Sequence, residues 1–508
     1  MAEKKKTPQL FAAIDVGSFE LCLKIFEISP KGLRQIDHIR HRLALGTDSY
    51  TTHKISYEKM EELFRILQEF TGIMKNYRVT HYRAYGTSAL RETDNTELLL
   101  DQIKNRSGIE LSILSNSEQR FLDYKAIASR GEQFDRIIEK STAIVDIGGG
   151  NIQLSLFDKG SLIITQSIKL GVLRLHERIQ KIQPRSSQTE ALLDEMIGGQ
   201  LHVFEKIYMK DREIRNLIIM DDYLSGKFRI AIPQADADGV ATAEAFLQFA
   251  DTLVTAGREE VADRLEIAEE SVALLKISTG IMKRVVHSFH AESIWAPGAS
   301  LCDGIAYEYA EHQKWKIAER DFDQDILACA RTISKRYQGS RKRSEAIEHI
   351  ALTLYDGMKK AHGMGERERL LLRLSAILHD CGKFINMTNV GDCSHAIIMN
   401  TEIIGLSHAE RGMVADIVKY NHNEFAYVDD TAGHSLTVAK LTAILRLANA
   451  LDKSQKQKIK NIEVRLTENR LQVSVDVGLD ILFEQERFSR HAAFFEEVYG
   501  IRPVIVRV

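Results

Sequence analysis

Two segments of this chain repeat one short pattern, and that repetition limits the fold more than anything else in the sequence. Residues 141–158, STAIVDIGGGNIQLSLFD, open with an apolar run, reach Asp146, pass through Gly148, Gly149 and Gly150, and resume alternation at Ile152, Leu154 and Leu156. Period-2 alternation on both sides of a glycine turn predicts two strands of a hairpin. The glycines let the backbone turn tightly and approach a ligand, and backbone N–H groups in such a turn form an anion-binding concavity. Asp146 suits a hydrated metal ion that neutralises phosphate charge. Residues 11–27, FAAIDVGSFELCLKIFE, say the same thing earlier: an apolar strand, Asp15, Gly17 and Ser18, then a second apolar strand. A pattern repeated in each half of a region predicts two related lobes facing a cleft.

Two phosphate-binding hairpins facing one another are the architecture of actin-like, Hsp70-like and sugar-kinase folds. The strand–helix alternation around them predicts an α/β layer fold. Strands are expected over 10–46 as a three-stranded meander, and over 81–88, 109–114, 161–168, 217–220 and 293–298. Helices are expected over 57–76, 95–106, from Ser117, and near 189–210, 241–255 and 268–288. From about 315 glycine thins out and the pattern turns helical to about 455; after 459 two strands, a helix and a final strand follow. The expected domains are lobe I at 1–132, lobe II at 133–312, a helical domain at 313–456 and a small α+β domain at 457–508.

With 508 residues, 44% of them apolar and 27% charged, the chain reads as a soluble multidomain protein. A net charge of −3 supplies no basic field for nucleic acid. The five scattered cysteines, Cys22, Cys302, Cys329, Cys381 and Cys393, read as reduced thiols. The basic N-terminus is followed by an apolar run broken at Asp15, which is no signal-peptide core, and no window reaches the length of a membrane span. A cytoplasmic protein is expected.

The order of these signals resembles the exopolyphosphatase and guanosine pentaphosphate phosphatase (Ppx/GppA) family over essentially the whole chain. The segments that carry the resemblance are IDVGS at 14–18, GTSALRE at 86–92, LSNSEQRFL at 114–122, VDIGGG at 145–150, LGVLRL at 170–175 and ASLCDGI at 299–305. It implies an actin-like two-lobed half and Mg²⁺-assisted hydrolysis of a terminal phosphoanhydride in polyphosphate or pppGpp. A homodimer is the expected assembly. Carried over residue by residue, Glu118 resembles the water-activating glutamate and Arg91 the arginine that grips phosphate. Asp15, Gly17 and Ser18 resemble one phosphate site; Asp146, which would serve Mg²⁺, with Gly148, Gly149, Gly150 and Asn151 resembles the other. Phosphoryl transfer needs charge neutralisation and positioning above all, and a planar guanidinium suits phosphate oxygens.

Two positions depart from the family pattern. Phe19 stands where Asn is usual, and Gln153 where a glutamate is usual. Gln keeps a hydrogen-bonding oxygen and loses the charge and the basicity. The turn expected after the strand at 217–220 is replaced by MDDYLSGKF. Exopolyphosphatase, pppGpp phosphatase and a ligand-binding regulator with a degraded site are therefore all to be weighed; a sugar kinase would leave the helical tail without a role.

That tail holds an apolar run closing in His379-Asp380, the signature of HD-domain metal phosphohydrolases. Adjacent helix positions diverge by about 100°, so a shared metal would need ligands from other helices. His349, His395, His422 and Asp452 complete the order H…HD…H…H…D. Imidazole plus carboxylate suits Mn²⁺, Fe or Zn²⁺. His408 is expected to be a surface helix residue.

Overall fold

A computed structural model describes residues 8–185, 188–209, 212–315, 320–427, 434–467 and 470–507. The chain divides into two compact units, Met1–Arg320 and Asp321–Val508. No helix among the described residues is long and apolar enough to cross a membrane.

The first unit contains two sheets. One is built from β1 (Gln9–Val16), β2 (Glu20–Ser29), β3 (Gly32–Arg42), β4 (His81–Gly86) and β5 (Leu111–Ile113), in the order β3-β2-β1-β4-β5. The other uses β6 (Thr142–Ile147), β7 (Ile152–Asp158), β8 (Ser161–Ile168), β9 (Asn216–Asp221), β10 (Val240–Thr242) and β11 (Ser293–Trp295), in the order β10-β11-β9-β6-β7-β8. Each begins with an antiparallel meander and continues with two parallel strands on the far side of its first strand, and the second sheet adds β10 as an antiparallel edge. The repeated sequence pattern is thus a repeated topology, the actin-like one expected.

Strand β1 is covered on both faces, which is why its sequence is a near-continuous apolar run. Ala12, Ile14 and Val16 pack with Leu63, Phe64, Leu67 and Phe70 of helix Tyr57–Asn76. Phe11 and Ala13 pack on the opposite face with Leu122 of helix Asn116–Ala128 and with Leu301, Cys302, Ile305 and Ala306. The last four lie on helix Leu301–His312. This corrects the expected boundary: the chain leaves the second lobe and returns to complete the first, and the lobe II range of 133–312 ends one helix too late. Local periodicity shows only that 301–312 is helical and says nothing about which sheet it covers.

The second lobe adds helices Ala243–Thr255, Arg258–Leu265 and Glu269–Phe289. The middle one escaped the sequence reading because it spans only two turns and follows Gly257. In the second unit, helices Phe322–Arg336, Arg341–Gly357, Glu366–Leu378, Val390–Asn400, His408–His422 and His434–Leu451 precede a three-stranded sheet. That sheet is β12 (Ile459–Leu466), β13 (Arg470–Val477) and β14 (Arg502–Arg507), with helix Leu482–Tyr499 before the last strand. The 457–508 segment is part of this single compact unit.

Candidate active site

The two glycine turns close on each other. In the first, the Gly17 N–H donates to Glu20 O at 3.0 Å. In the second, the Gly148 N–H donates to Asn151 O at 3.0 Å. A β-carbon on Gly149 would lie 3.0 Å from Ser18 Cβ, and one on Gly150 would lie 2.2 Å from the Tyr50 hydroxyl. Ser18, Tyr50 and Ser88 form a triangle of hydroxyls with edges of 2.7, 2.9 and 2.7 Å. Arg174 braces the same place: its Nε donates to Gly150 O at 2.7 Å, its guanidinium lies 3.9 Å from the Tyr50 ring centroid, and it pairs with Glu92.

Between the turns is a cavity of about 150 Å³. Asp15, Gly17, Ser18, Asp146, Gly148, Gly149 and Asn151 all line it, so the structure brings these sequence-predicted residues together. Gly150 is turned instead toward Tyr50 and Ser88. Among the further lining groups that were missed are Glu20 and Arg40, joined by an ion pair of 2.6 Å, and Asp123 and Asp222. Asp123 had a signal, a lone acidic residue inside the buried run of helix Asn116–Ala128.

This cavity is unusually acidic. Burial, then Glu20 and Asp146, push the Asp15 carboxyl up to about 7. Burial pushes Asp146 up to about 7 as well, with the Arg120 guanidinium opposing the rise and Asp221 adding to it. Burial and the neighbouring aspartates raise Asp123 and Asp222 well above the ordinary range. Asp15 Oδ1 and Asp146 Oδ2 are buried without a hydrogen-bond partner among the described residues. Buried carboxylates without partners are costly, and a divalent cation removes that cost. The donor set fits Mg²⁺, which takes one or two carboxylates and keeps water and substrate phosphate as its other ligands. Among the described residues, no group of three or more His, Cys, Asp or Glu side chains is placed to hold a metal by itself.

Glu118 and Arg91 do not line this cavity. Glu118 is the third residue of its helix, where a carboxylate reaches back to the free N-terminal N–H groups. The Ser115 N–H donates to Glu118 Oε2 at 2.9 Å, and the Glu118 N–H donates to Ser115 Oγ at 3.2 Å. The residues this helix presents to the cavity are Gln119 and Asp123, one turn apart. Arg91 donates to Leu114 O and to Asn116 Oδ1, each at 2.5 Å, and so holds the entry to the same helix.

The two departures have structural explanations. Gln153 pairs with Asp146 across the β6–β7 ladder, and its Oε1 accepts from Arg120 Nε at 2.6 Å. The amide thereby fixes a cation beside Asp146. Phe19 packs against the core of the second lobe, with its ring 5.5 Å from that of Tyr223.

Of the six residues of the expected HD metal set, His379, Asp380 and His422 come together, with His422 Nε2 3.8 Å from Asp380 Oδ1, but no group of three or more among the described residues is placed to hold a metal. His349 is exposed on its helix. His395 pairs with Asp416 at 3.3 Å, and Asp452 accepts from the N–H and Nε2 of Gln457. Asp380 is surrounded by Arg343 at 2.9 Å, Lys383 at 2.6 Å and His379 at 3.2 Å. Although burial opposes them, His379, Arg343 and Lys383 hold its carboxyl well below the usual range. His422 Nε2 lies 2.8 Å from His379 O, and burial pushes its imidazole down to about 4. Protein cations thus occupy the surroundings of Asp380. His408 is exposed, as expected.

A model of the Ppx/GppA phosphatase family matches residues 24–313, and one of Ppx/GppA phosphatase domain III matches 327–492. A guanosine-5'-triphosphate,3'-diphosphate pyrophosphatase of Photobacterium profundum is 20% identical over 447 residues, covering 88% of this chain and 86% of that protein. One from Vibrio cholerae is 20% identical over 482 residues, covering 94% and 93%. Among solved structures, the Aquifex aeolicus Ppx/GppA family member superposes with a TM-score of 0.50 at 18% identity, covering 61% of this chain and 99% of that one. An exopolyphosphatase from Cytophaga hutchinsonii gives 0.51 at 19% identity, covering 61% and 100%. The two family models between them span both compact units, and the solved structures share the two-lobed fold; the chain belongs to the Ppx/GppA phosphatase family.

Proposed function

We propose that this chain hydrolyses the terminal phosphoanhydride of inorganic polyphosphate and releases orthophosphate, with Mg²⁺ held by Asp15 and Asp146. The observation that carries this reading is the pair of aspartates, one from each repeat, with unpartnered oxygens in one cavity lined by both glycine turns. Bound there, Mg²⁺ would neutralise phosphate charge, the main requirement of phosphoryl transfer. A cavity of about 150 Å³ takes the terminal phosphate of a chain. Asp123 is the cavity carboxylate on helix Asn116–Ala128, and in its ionised form it is placed to act as a general base. It takes a proton from water as the water oxygen attacks the terminal phosphorus, and the bridging P–O bond breaks with its electrons going to the shortened chain.

Two alternatives keep specific support. The names of the curated relatives favour pppGpp as the substrate. Amides at Gln119 and Gln153, with Glu118 turned into a cap, favour a binding regulator with weak turnover. Phosphate release from long-chain polyphosphate and from pppGpp, measured side by side with Mg²⁺, separates the three. Faster release from polyphosphate is the expected result; release only from pppGpp selects the nucleotide, and binding without release selects the regulator.

A further inference from the structure

The second lobe has a cavity of about 460 Å³, apart from the phosphate cleft and in the range that takes small organic ligands. Helices Val172–Ile182, Thr189–Phe204, Ala243–Thr255 and Glu269–Phe289 wall it. Its walls are aliphatic: Ile179, Leu193, Leu253, Val254, Val272 and Ile277 line it, and no aromatic ring does among the described residues. A nucleobase would find nothing to stack on there, whereas a saturated chain gains from each methylene it takes out of water. Thr279, 2% exposed, lines the cavity with its hydroxyl unpartnered among the described residues. Lys276, Thr279 and Lys283 follow one another at helical spacing and so share one face of helix Glu269–Phe289.

The charge of the lining decides what the ligand carries at its head. Glu190 is the one carboxylate in it among the described residues, and it is taken by Lys283 at 2.6 Å, which also pairs with Asp251 at 2.7 Å. Arg258 and Lys276 remain. The exposed Arg258 has no ion-pair partner among the described residues. Lys276 Nζ donates to Ala256 O at 2.8 Å and Val254 O at 3.5 Å, which leaves one of its three N–H groups for a ligand. Burial and then the Arg258 guanidinium lower the proton affinity of Lys276, so an anion between the two relieves their repulsion. We propose that this cavity binds a medium-chain aliphatic carboxylate, with the chain among the aliphatic side chains and the carboxylate held by Arg258, Lys276 and the Thr279 hydroxyl. An aliphatic wall with two cations at one place suits a single charge on an apolar body, and it offers a polyphosphate chain too few charges and too little polar surface.

Calorimetric titration of the full chain with decanoate, octanoate and 1-octanol tests this, and needs no turnover in the phosphate cleft. Decanoate is expected to bind about tenfold tighter than octanoate, because it buries two more methylenes. Octanoate is expected to bind about tenfold tighter than 1-octanol, which has the chain without the charge. Arg258→Gln and Lys276→Gln are each expected to weaken decanoate by about tenfold and to leave 1-octanol unchanged. Arg258 is exposed, so its variant is expected to melt at the wild-type temperature and decides the matter if Lys276→Gln does not. Saturating tripolyphosphate is expected to leave decanoate affinity unchanged. Equal binding of octanoate and 1-octanol, no gain from octanoate to decanoate, undiminished decanoate binding by Arg258→Gln, displacement by tripolyphosphate, or no decanoate binding at millimolar concentration would each overturn the site. Because the readout is binding, a chain inactive on every phosphoanhydride still gives a clear answer.

Discussion

Asp123 and Glu118 sit five residues apart on one helix and have different surroundings. Asp123 lines the cavity among other aspartates; Glu118 caps its own helix. Asp123→Asn is therefore expected to lower Mg²⁺-dependent phosphate release by about 10²–10⁴. Glu118→Gln is expected to stay within about threefold of wild type, because Gln also serves a capping box. A steady-state assay of both variants checks the pair, and the reverse ranking would return the base to Glu118. Gln119→Glu, which adds a carboxylate to the cavity, is expected to raise turnover if a missing charge is what limits it. The raised aspartates also set a pH dependence. Asp15 and Asp146 hold protons in the folded chain up to about 7, whereas the unfolded chain releases them near 4. The folded state thus binds more protons across that interval, so metal-free stability falls as pH rises from about 4 to about 7. Mg²⁺ should restore it, with a thermal shift that is present at pH 8 and nearly absent at pH 5. A shift of equal size at both values would show that Mg²⁺ does not act on these carboxylates. The sequence revealed Asp15 and Asp146 because strand alternation and glycine turns are local. It did not reveal Asp222 or Arg40, whose membership depends on strands that meet only in the fold.

The glycine turns, the capped helix and the helical unit each make a separate claim about an element. A β-carbon at Gly171 would lie 2.3 Å from Gly149 O, a contact with backbone that no rotamer relieves. Gly171→Ala is expected to destabilise the first unit by about 2 kcal/mol or more, read from urea denaturation. In the helical unit, Arg343 is 3% exposed and pairs with Asp380. Arg343→Met removes one of the cations around Asp380 and leaves Lys383 and His379 in place, so it should cost about 1–3 kcal/mol, and a double change that also makes Asp380→Asn should recover part. The same arrangement predicts less than about a tenth of an equivalent of bound transition metal after Mn²⁺ loading and desalting, measured by elemental analysis. The H…HD…H…H…D order was legible in sequence; that Arg343 would reach Asp380 from a helix begun forty residues earlier was not. Order along the chain says which residues exist, and only packing says which of them share a space.

At the scale of the whole chain, most strands and helices of the first unit were readable, because each hairpin and amphipathic helix advertises its own period. What was not readable was a long-range property: helix Leu301–His312 covers the first sheet, beside Phe11, Phe26 and Leu122. The second lobe is therefore an insertion within the first, entered after helix Asn116–Ala128 and left before Leu301. That has a consequence for the order in which the protein is made. When the ribosome has finished the first sheet, one of its faces still lacks the helix that seals it, and about 190 more residues must be translated first. At typical synthesis rates that wait lasts roughly ten to forty seconds. The second lobe, complete by β11, has all of its own sheet before the first lobe has all of its core. Though second in the gene's direction, it is the part that can fold first, and the nascent chain carries an open apolar face until its partner helix emerges.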